Sequence, residues 1–257
     1  MSYNNEVSNT WKGRDEYVWN SGPITIITTL FDGRMTSVPH SVGIYDESWV
    51  DKLYRGIERH YSKPFKFICL TDKNYKFTEP VIQERLSMSV DNYGWLCLID
   101  MYRPELCSGR RFTIGLDTIL TGTLDEILAH ETKIGLCTDP FTPQWVCNAV
   151  TIANPEFCSE YWDLWSDKKK EMLAESRFFG APSEMAVLRQ YYNDVERLDV
   201  TFPGQILSYK ANVVGVGKQN YMHPTQLQLE GSSIVYFHGD PKPNTITHQK
   251  WVQENWV

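Results

Sequence analysis

A run of β-branched residues near the start of the chain constrains the fold most. Residues Ile24 to Leu30 read Ile-Thr-Ile-Ile-Thr-Thr-Leu, which is typical of a buried strand. From Asp46 to His60 apolar residues recur at helical spacing, which predicts an amphipathic helix that ends before Pro64. A second apolar run, Phe65 to Leu70, predicts the next strand. Strand, helix and strand in this order predict an open, mostly parallel sheet with helices on its faces.

The same alternation continues along the rest of the chain. Helices are predicted over about 95–102, 124–130, 155–174 and 183–192, and strands over 111–116, 134–137, 145–152, 206–209 and 234–237. No internal repeat or low-complexity linker interrupts them. Residues 21–257 are therefore predicted to form one α/β domain, and the polar residues 1–20 an N-terminal arm.

Charge and composition argue against several classes of protein. A formal net charge of -7 does not favour broad adhesion to nucleic acid or to an anionic membrane. No stretch reaches the roughly 18 apolar residues of a membrane span, and the first residues lack the features of a signal peptide. The six cysteines contain no Cys-x-x-Cys pair. We therefore expect a cytoplasmic protein with reduced thiols and without a structural zinc site.

The predicted strand ends indicate where a ligand would bind. In open parallel sheets, ligands bind beyond the carboxyl ends of the strands. Here those ends lie at Thr28–Leu30, at Thr71–Asp72 and at Asp117, which follows the strand predicted over 111–116. We therefore expect these residues at one edge of the sheet.

Several segments occur in an order that carries a resemblance to a known family. They are Leu53–His60, Phe67–Asp72, Gly94–Trp95 with Tyr102–Pro104, Leu116–Leu120 with Gly122–Leu124, Phe202–Lys210, and Phe237–Pro243 with Trp251 and Trp256 after it. From about residue 24 to the C-terminus the set resembles GT-A-fold glycosyltransferases of bacterial and viral type, distantly similar to glycogenin-like enzymes. The resemblance implies a GT-A-like fold and the transfer of a sugar from a nucleotide-sugar donor, with UDP as the expected nucleotide.

The resemblance also implies a divalent metal, Mn²⁺ or Mg²⁺. In that family an Asp-x-Asp at a strand end and a histidine near the C-terminus hold the ion, which offsets the charge that grows on the leaving diphosphate. Asp117 matches the second aspartate and His238 the histidine, while Gly239 and Lys242 match the phosphate contacts. Gly115 stands where the first aspartate is expected. We therefore expect metal binding to depend on oxygens of the nucleotide itself.

Further site residues follow from the same resemblance. The residues expected to contact the nucleotide sugar, besides Asp117, Gly239 and Lys242, are Thr29, Leu30, Asp72, Gln205, Tyr209 and Lys210. Glu184 or Asp139 is expected near the acceptor hydroxyl, as the base of an inverting reaction, and Asn148 is expected to hydrogen-bond the sugar. Each of these residue types is also common in turns, caps and packed cores, so a structural role stays open for each.

Other departures from the family pattern leave the function open. Leu98 stands in place of an expected lysine, Cys147-Asn148-Ala149 in place of Gly-Ser-Gly, and Pro182-Ser183-Glu184 in place of Gly-Asp-Gln. The first hypothesis is an active glycosyltransferase whose acceptor is a glycan, a protein or modified DNA. The second is a catalytically silent relative that binds a nucleotide, a glycan or a protein partner. The third is an interaction protein built on the same fold.

Overall fold

The computed structural model describes residues 23–32, 45–175, 177–178, 181–215 and 229–257. The predicted N-terminal arm, residues 1–20, lies outside these described residues.

Strands occur throughout the described part of the chain. The strands are β1 Ile24–Leu30, β2 Phe65–Thr71, β3 Ile82–Arg85, β4 Arg111–Ile114, β5 Thr118–Leu120, β6 Ile134–Thr138, β7 Val146–Ala153, β8 Arg177–Phe178, β9 Ala181–Pro182, β10 Glu196–Arg197, β11 Ile206–Ser208 and β12 Ile234–Tyr236. Seven of them form the main sheet in the order β10-β6-β7-β4-β1-β2-β3. Only β7 runs antiparallel to its neighbours, β4 and β6. The predicted mostly parallel central sheet is confirmed.

Helices connect the strands and cover the sheet. The α-helices are α1 Glu47–His60, α2 Val90–Tyr93, α3 Asp125–Ala129, α4 Pro155–Glu175, α5 Glu184–Tyr191, α6 Leu198–Thr201 and α7 Lys250–Asn255. Tight 3-10 helices span Leu96–Tyr102, Pro104–Leu106 and Pro243–Thr245, and one π-helical turn spans Tyr209–Val213. No helix within the described ranges is long and apolar enough to cross a membrane.

The main sheet is packed on both of its faces. Neighbouring side chains of a strand point to opposite sides of the sheet, and in β1 both sides are buried. Ile26 of β1 packs into the core that contains Leu53 of α1, whereas Ile27 packs into the core that contains Phe157 of α4. Burial of such a side chain contributes about 1.5–3 kcal/mol relative to its exposure. The continuous apolar runs of β1 and β2 thus reflect helices on both faces.

A second sheet stands beside the main one and was not predicted as a separate unit. It has the order β11-β12-β5, in which β11 and β12 are parallel and β5 is antiparallel to β12. Its strands have three residues each, too few to show a reliable alternation of polar and apolar residues. The strands β8 and β9 form a small hairpin of their own.

Three predicted elements differ from those observed. The helix predicted over 95–102 is a 3-10 helix that is buried almost all round, so it lacks the polar face of an amphipathic α-helix. The strand predicted over 111–116 ends at Ile114, because Gly115 begins the connection to the second sheet. Tyr209, expected at the end of a strand, begins the π-helical turn instead. All six cysteines are free thiols.

Candidate functional site

The carboxyl ends of several strands meet at one edge of the main sheet. Strands β1, β2 and β4 are parallel to one another, and β6 runs in the same direction because both β4 and β6 are antiparallel to β7. Leu30 pairs with Thr71 at this edge, and Asp72 and Asp139 follow directly after β2 and β6. The strand ends at Leu30 and at Thr71–Asp72 therefore share one edge, as predicted.

Asp117 lies in the connection between the two sheets, not at the end of a strand of the central sheet as predicted. The last residue of β4 is Ile114, and Asp117 comes directly before β5. Its backbone carbonyl accepts a hydrogen bond of 3.0 Å from the N–H of Phe237, at the end of β12. The N–H of Gly115 donates to the carbonyl of Ala149 in β7 at 3.3 Å. The connection is thus anchored on both sides.

The carboxylate of Asp117 is held by two donors. Its Oδ2 accepts a hydrogen bond from the ammonium of Lys242, with which it forms an ion pair, and another of 3.0 Å from the hydroxyl of Tyr45. Only 9% of the Lys242 side chain and 18% of the Asp117 side chain are exposed. Burial, and then the charge of Asp117, raises the pKa of Tyr45 far above its ordinary value, so this phenol stays protonated and donates.

Sequence reasoning found two members of this group and missed the third. Asp117 and Lys242 both follow from the family resemblance, but their direct ion pair was not expected. Tyr45 precedes α1 in a region without hydrophobic periodicity, and no feature of the sequence relates it to Asp117, which is 72 positions away.

His238 lies beside this group and is already engaged. Its Nε2 forms a hydrogen bond of 2.7 Å with the hydroxyl of Ser208, and its ring packs edge-on against Phe141 at 4.9 Å between centroids. Burial, and then the nearby charge of Lys210, lowers the pKa of His238 to about 4. The ring is therefore neutral at pH 7.

Lys210 brings a second ammonium group to the same corner. Its Nζ lies 3.1 Å from the point where a Cβ on Gly239 would stand, and Gly239 has a φ of 60°. Burial lowers the pKa of Lys210, the exposed Asp240 opposes that shift, and the charge of Lys242 lowers the pKa further. A side chain at position 239 would be strained by this φ and would crowd the ammonium group.

A second polar centre forms across β7. The amide of Asn148 donates to Oε2 of Glu184, the first residue of α5. Glu184 is completely buried, and its Oε1 has no hydrogen-bond partner in the described part of the chain. Burial raises the pKa of Glu184 to about 7, although the bond from Asn148 opposes the shift. This carboxyl group therefore titrates close to neutral pH.

Asp139, the other carboxylate expected near the acceptor, is used to shape its own loop. Its Oδ1 accepts hydrogen bonds of 2.8 Å from the N–H groups of Phe141 and Thr142, and its Oδ2 forms an ion pair with Arg189. The loop places Phe141 against His238.

The remaining predicted nucleotide contacts are spread over a wider area. Thr29 is half-buried at the end of β1, whereas the side chain of Leu30 belongs to the apolar core, so a ligand could meet only its backbone. Asp72 is exposed and accepts from the N–H of Asp32 and from the hydroxyl of Tyr75.

The two contacts predicted on the second sheet differ in position. Tyr209 is buried and stacks on Phe237 at 4.5 Å, below the site. Gln205 precedes β11, at the opposite end of that strand from Lys210, and binds Glu126 at 3.3 Å. The structure does not bring Gln205 to the group around Asp117.

These residues do not fit a metal centre built by the protein. A divalent-ion site formed by the chain alone needs several ligand atoms from it, whereas Mg²⁺ can also be held by one or two carboxylates together with phosphate oxygens of a substrate. Among the described residues, no group of three or more His, Cys, Asp or Glu side chains could hold an ion. The two predicted ligands are engaged elsewhere, Asp117 by an ammonium and His238 by Ser208, and Gly115 adds none.

Comparison with solved structures places this geometry in a known architecture. The galactosyltransferase LgtC, solved with donor and acceptor sugar analogs, aligns with a TM-score of 0.57 at 8% identity, covering 91% of this chain and 97% of LgtC. The chain has a GT-A-like fold.

Two further solved structures share the architecture. The glycosyltransferase GlyE of Streptococcus pneumoniae aligns with a TM-score of 0.57 at 13% identity, over 86% of this chain and 56% of GlyE. The bifunctional glycosyltransferase WbbM aligns with a TM-score of 0.58 at 11% identity, over 91% of this chain and 51% of WbbM. No protein-family model and no curated protein matches the sequence. At these identities the likeness concerns the fold alone.

Proposed function

We propose that the protein transfers a sugar from a nucleotide-sugar donor, with UDP as the expected nucleotide, to an acceptor that is a glycan, a protein or modified DNA. The observation that carries the proposal is the arrangement of two polar centres at one edge of a GT-A-like sheet. One is the cationic group around Lys242, and the other is the buried pair of Glu184 and Asn148. The resemblance in sequence and the solved glycosyltransferases of similar fold support it.

The cationic group suits the leaving diphosphate. Bond cleavage at the anomeric carbon leaves negative charge on the diphosphate oxygens, and fixed cations with little access to water stabilise that charge best. Lys242 is almost fully buried, and Lys210 lies over Gly239, where the missing side chain leaves room. We assign both lysines to the donor diphosphate.

The buried carboxyl group suits the acceptor side. A general base works best when its pKa lies near the working pH, and burial raises the pKa of Glu184 to about 7. Asp139 fits this role less well, because both of its oxygens already hold the loop and Arg189. We assign the base to Glu184 and the hydrogen bond to the sugar to the half-buried Asn148.

The divalent metal implied by the resemblance, Mn²⁺ or Mg²⁺, takes no part in these assignments. Its two candidate ligands, Asp117 and His238, are engaged with Lys242 and Ser208. The cytoplasmic location expected from the sequence stays a prediction.

The test is release of nucleoside diphosphate from a panel of nucleotide sugars, with a pool of glycan and protein acceptors. We expect release from at least one donor. Glu184→Gln should slow release at least tenfold while the affinity for the donor stays the same, since general base catalysis contributes on the order of a hundredfold or more. Glu171→Gln, on the exposed face of α4, is the matched control and should leave the rate unchanged. An unaltered rate in Glu184→Gln would contradict the assigned base.

One observation favours a second candidate, the catalytically silent relative. Glu184 is completely buried, so its carboxyl group reaches a substrate only if α5 or its surroundings move. Tight binding of nucleotide sugars without release from any donor would support this candidate over the enzyme.

A further inference from the structure

The carboxylate of Asp117 already carries a cation that belongs to the protein. The ammonium of Lys242 is bound to its Oδ2, and the hydroxyl of Tyr45 donates to the same oxygen. A metal ion at Asp117 would have to displace a buried ammonium from its counter-ion. Such a displacement leaves the buried ammonium of Lys242 without its counter-ion, which is costly.

The residues around Asp117 supply few additional ligands for a metal ion. The Oδ1 of Asp117 faces Gly115, and a Cβ built on that glycine would stand 3.0 Å from this oxygen. Gly115 therefore supplies no ligand, and it lies against Oδ1 of Asp117, the carboxylate oxygen to which Lys242 is not bound. The Nε2 of His238 is bonded to Ser208.

The lysines, by contrast, retain donors for an anion. An ammonium group has three N–H donors, and Asp117 takes one from Lys242, so among the residues that the structure describes two are left for phosphate oxygens. Lys210 brings a second ammonium over Gly239, close enough to Lys242 that each charge affects the other. Asp240 also acts on Lys210, but its side chain is exposed and water screens it.

We propose that this site binds the diphosphate of its nucleotide without a divalent metal, with the ammonium groups of Lys242 and Lys210 in the place of the ion. The proposal rests on the proposed function and departs from the metal dependence implied by the resemblance. Asp117 is then a positioning residue that orients Lys242, and Tyr45 holds the carboxylate in turn.

The experiment is isothermal titration of the whole chain with UDP, GDP and inorganic pyrophosphate, each in EDTA and in Mn²⁺ in excess of the ligand. We expect at least one nucleotide, and pyrophosphate, to bind in EDTA with a Kd within about threefold of its value in Mn²⁺. In EDTA, Lys242→Ala should weaken that binding ten- to a hundredfold, which is the usual loss for one charge-assisted phosphate contact. Lys250→Ala, whose side chain is 86% exposed on α7, is the matched control and should bind like the parent protein.

A second pair of variants covers the case in which Lys242→Ala fails to fold. Lys210→Ala leaves the pair of Asp117 and Lys242 intact and should also weaken binding in EDTA at least fivefold. Asp117→Asn keeps an acceptor oxygen for Lys242 and should bind in EDTA within a fewfold of the parent protein, whereas Asp117→Ala should bind more weakly.

The outcomes separate the two proposals. Binding that occurs only with Mn²⁺ overturns the metal-free site and leaves the proposed function standing. Binding in EDTA that neither lysine variant weakens overturns the assignment of the lysines. Binding of no nucleotide under either condition overturns both proposals.

Discussion

Burial decides the charge state of single residues at this site. Glu184 is removed from water, so burial raises its pKa to about 7. His238 is half-buried, and burial lowers its pKa to about 4, so it stays neutral beside two lysines. The two residues therefore affect stability in opposite directions as the pH changes.

The first prediction at this scale concerns the stability cost of Glu184. Its pKa in the folded state is higher than the ordinary value of 4.5. As the pH rises, the unfolded chain therefore loses this proton at a lower pH than the folded chain does. The free energy of unfolding should therefore fall as the pH rises from about 4.5 to about 7, by up to about 3 kcal/mol from this residue. Glu184→Gln should be more stable relative to the parent protein at pH 8 than at pH 5, as measured by urea unfolding at both values.

The exposed Glu171→Gln provides the comparison, since its difference from the parent protein should not change with pH. An equal difference at pH 5 and pH 8 for Glu184→Gln would show that the buried carboxyl group does not change its ionisation on folding.

The second prediction at this scale concerns Gly115. Gly115→Asp should create Mn²⁺ binding that the parent protein lacks, because it adds a second carboxylate ligand next to Asp117, to which a single ammonium, that of Lys242, is bound. Gly115→Ala adds the same Cβ, 3.0 Å from Oδ1 of Asp117, without a ligand, and should bind no Mn²⁺. Titration of Mn²⁺ into the three proteins measures this. Tight Mn²⁺ binding by the parent protein would contradict the ligand analysis.

The strands β5 and β12, which flank the site, are held together by hydrogen bonds and close backbone contacts. The second sheet brings β12 and the loop before it against β5 and the residues that follow it. Thr121 donates to the carbonyl of Ser232 at 3.0 Å, and its N–H donates to the carbonyl of Ser233 at 2.9 Å. These hydrogen bonds hold β5 beside β12 and so fix the relative positions of Asp117, which precedes β5, and His238, which follows β12.

The prediction for these elements concerns Gly122, which follows Thr121. A Cβ at this position would stand 2.5 Å from the carbonyl oxygen of Ser232, closer than any ordinary contact. Gly122→Ala should therefore lower the free energy of unfolding by about 2 kcal/mol, as overpacking against backbone does. Gly109→Ala, whose nearest contact would be at 3.9 Å, should change it by less than about 0.5 kcal/mol. Equal stability of the two variants in urea would contradict the close approach.

At the scale of the molecule, the C-terminal segment links α1 to the π-helical turn that follows β11. Trp256 packs edge-on against Trp49 of α1 at 4.8 Å, and the ammonium of Lys52 lies 3.8 Å from the Trp256 ring centroid. On the other side, Trp251 stacks on Tyr209 at 6.1 Å, beneath the second sheet. The C-terminal segment thus contacts both α1 and Tyr209, the neighbour of Lys210 in the chain.

The prediction at this scale concerns the anchor of that segment. Trp256→Ala should lower the free energy of unfolding by about 3 kcal/mol, because a buried indole is lost and a cavity remains. For a domain of this size that corresponds to a fall in Tm of roughly 6–12 °C. Trp145→Ala, at a position 45% exposed, is the matched control and should lower the Tm far less. Thermal unfolding of both variants measures the difference.

The central sheet and most of its helices could be predicted from the sequence because their signals are local. The apolar run of β1, the helical spacing of α1 and the apolar run of β2 lie within 48 residues. These signals predicted the fold class and the edge at which Leu30, Thr71 and Asp72 lie. They located β11 and β12 but missed β5, and they did not show that these three short strands pair with one another across distant parts of the chain.

The arrangement of the site was decided by the tertiary structure. Tyr45 and Lys242 are 72 and 125 positions from Asp117, and Asn148 is 36 from Glu184, so no local pattern relates them. Their charge states also depend on burial, which exists only after the two sheets pack. The sequence by itself determined the order of the main strands and helices and hence the sheet edge at Leu30 and Asp72, whereas the packing determined which polar groups meet and pair there, because ion pairing and desolvation depend on distances in space.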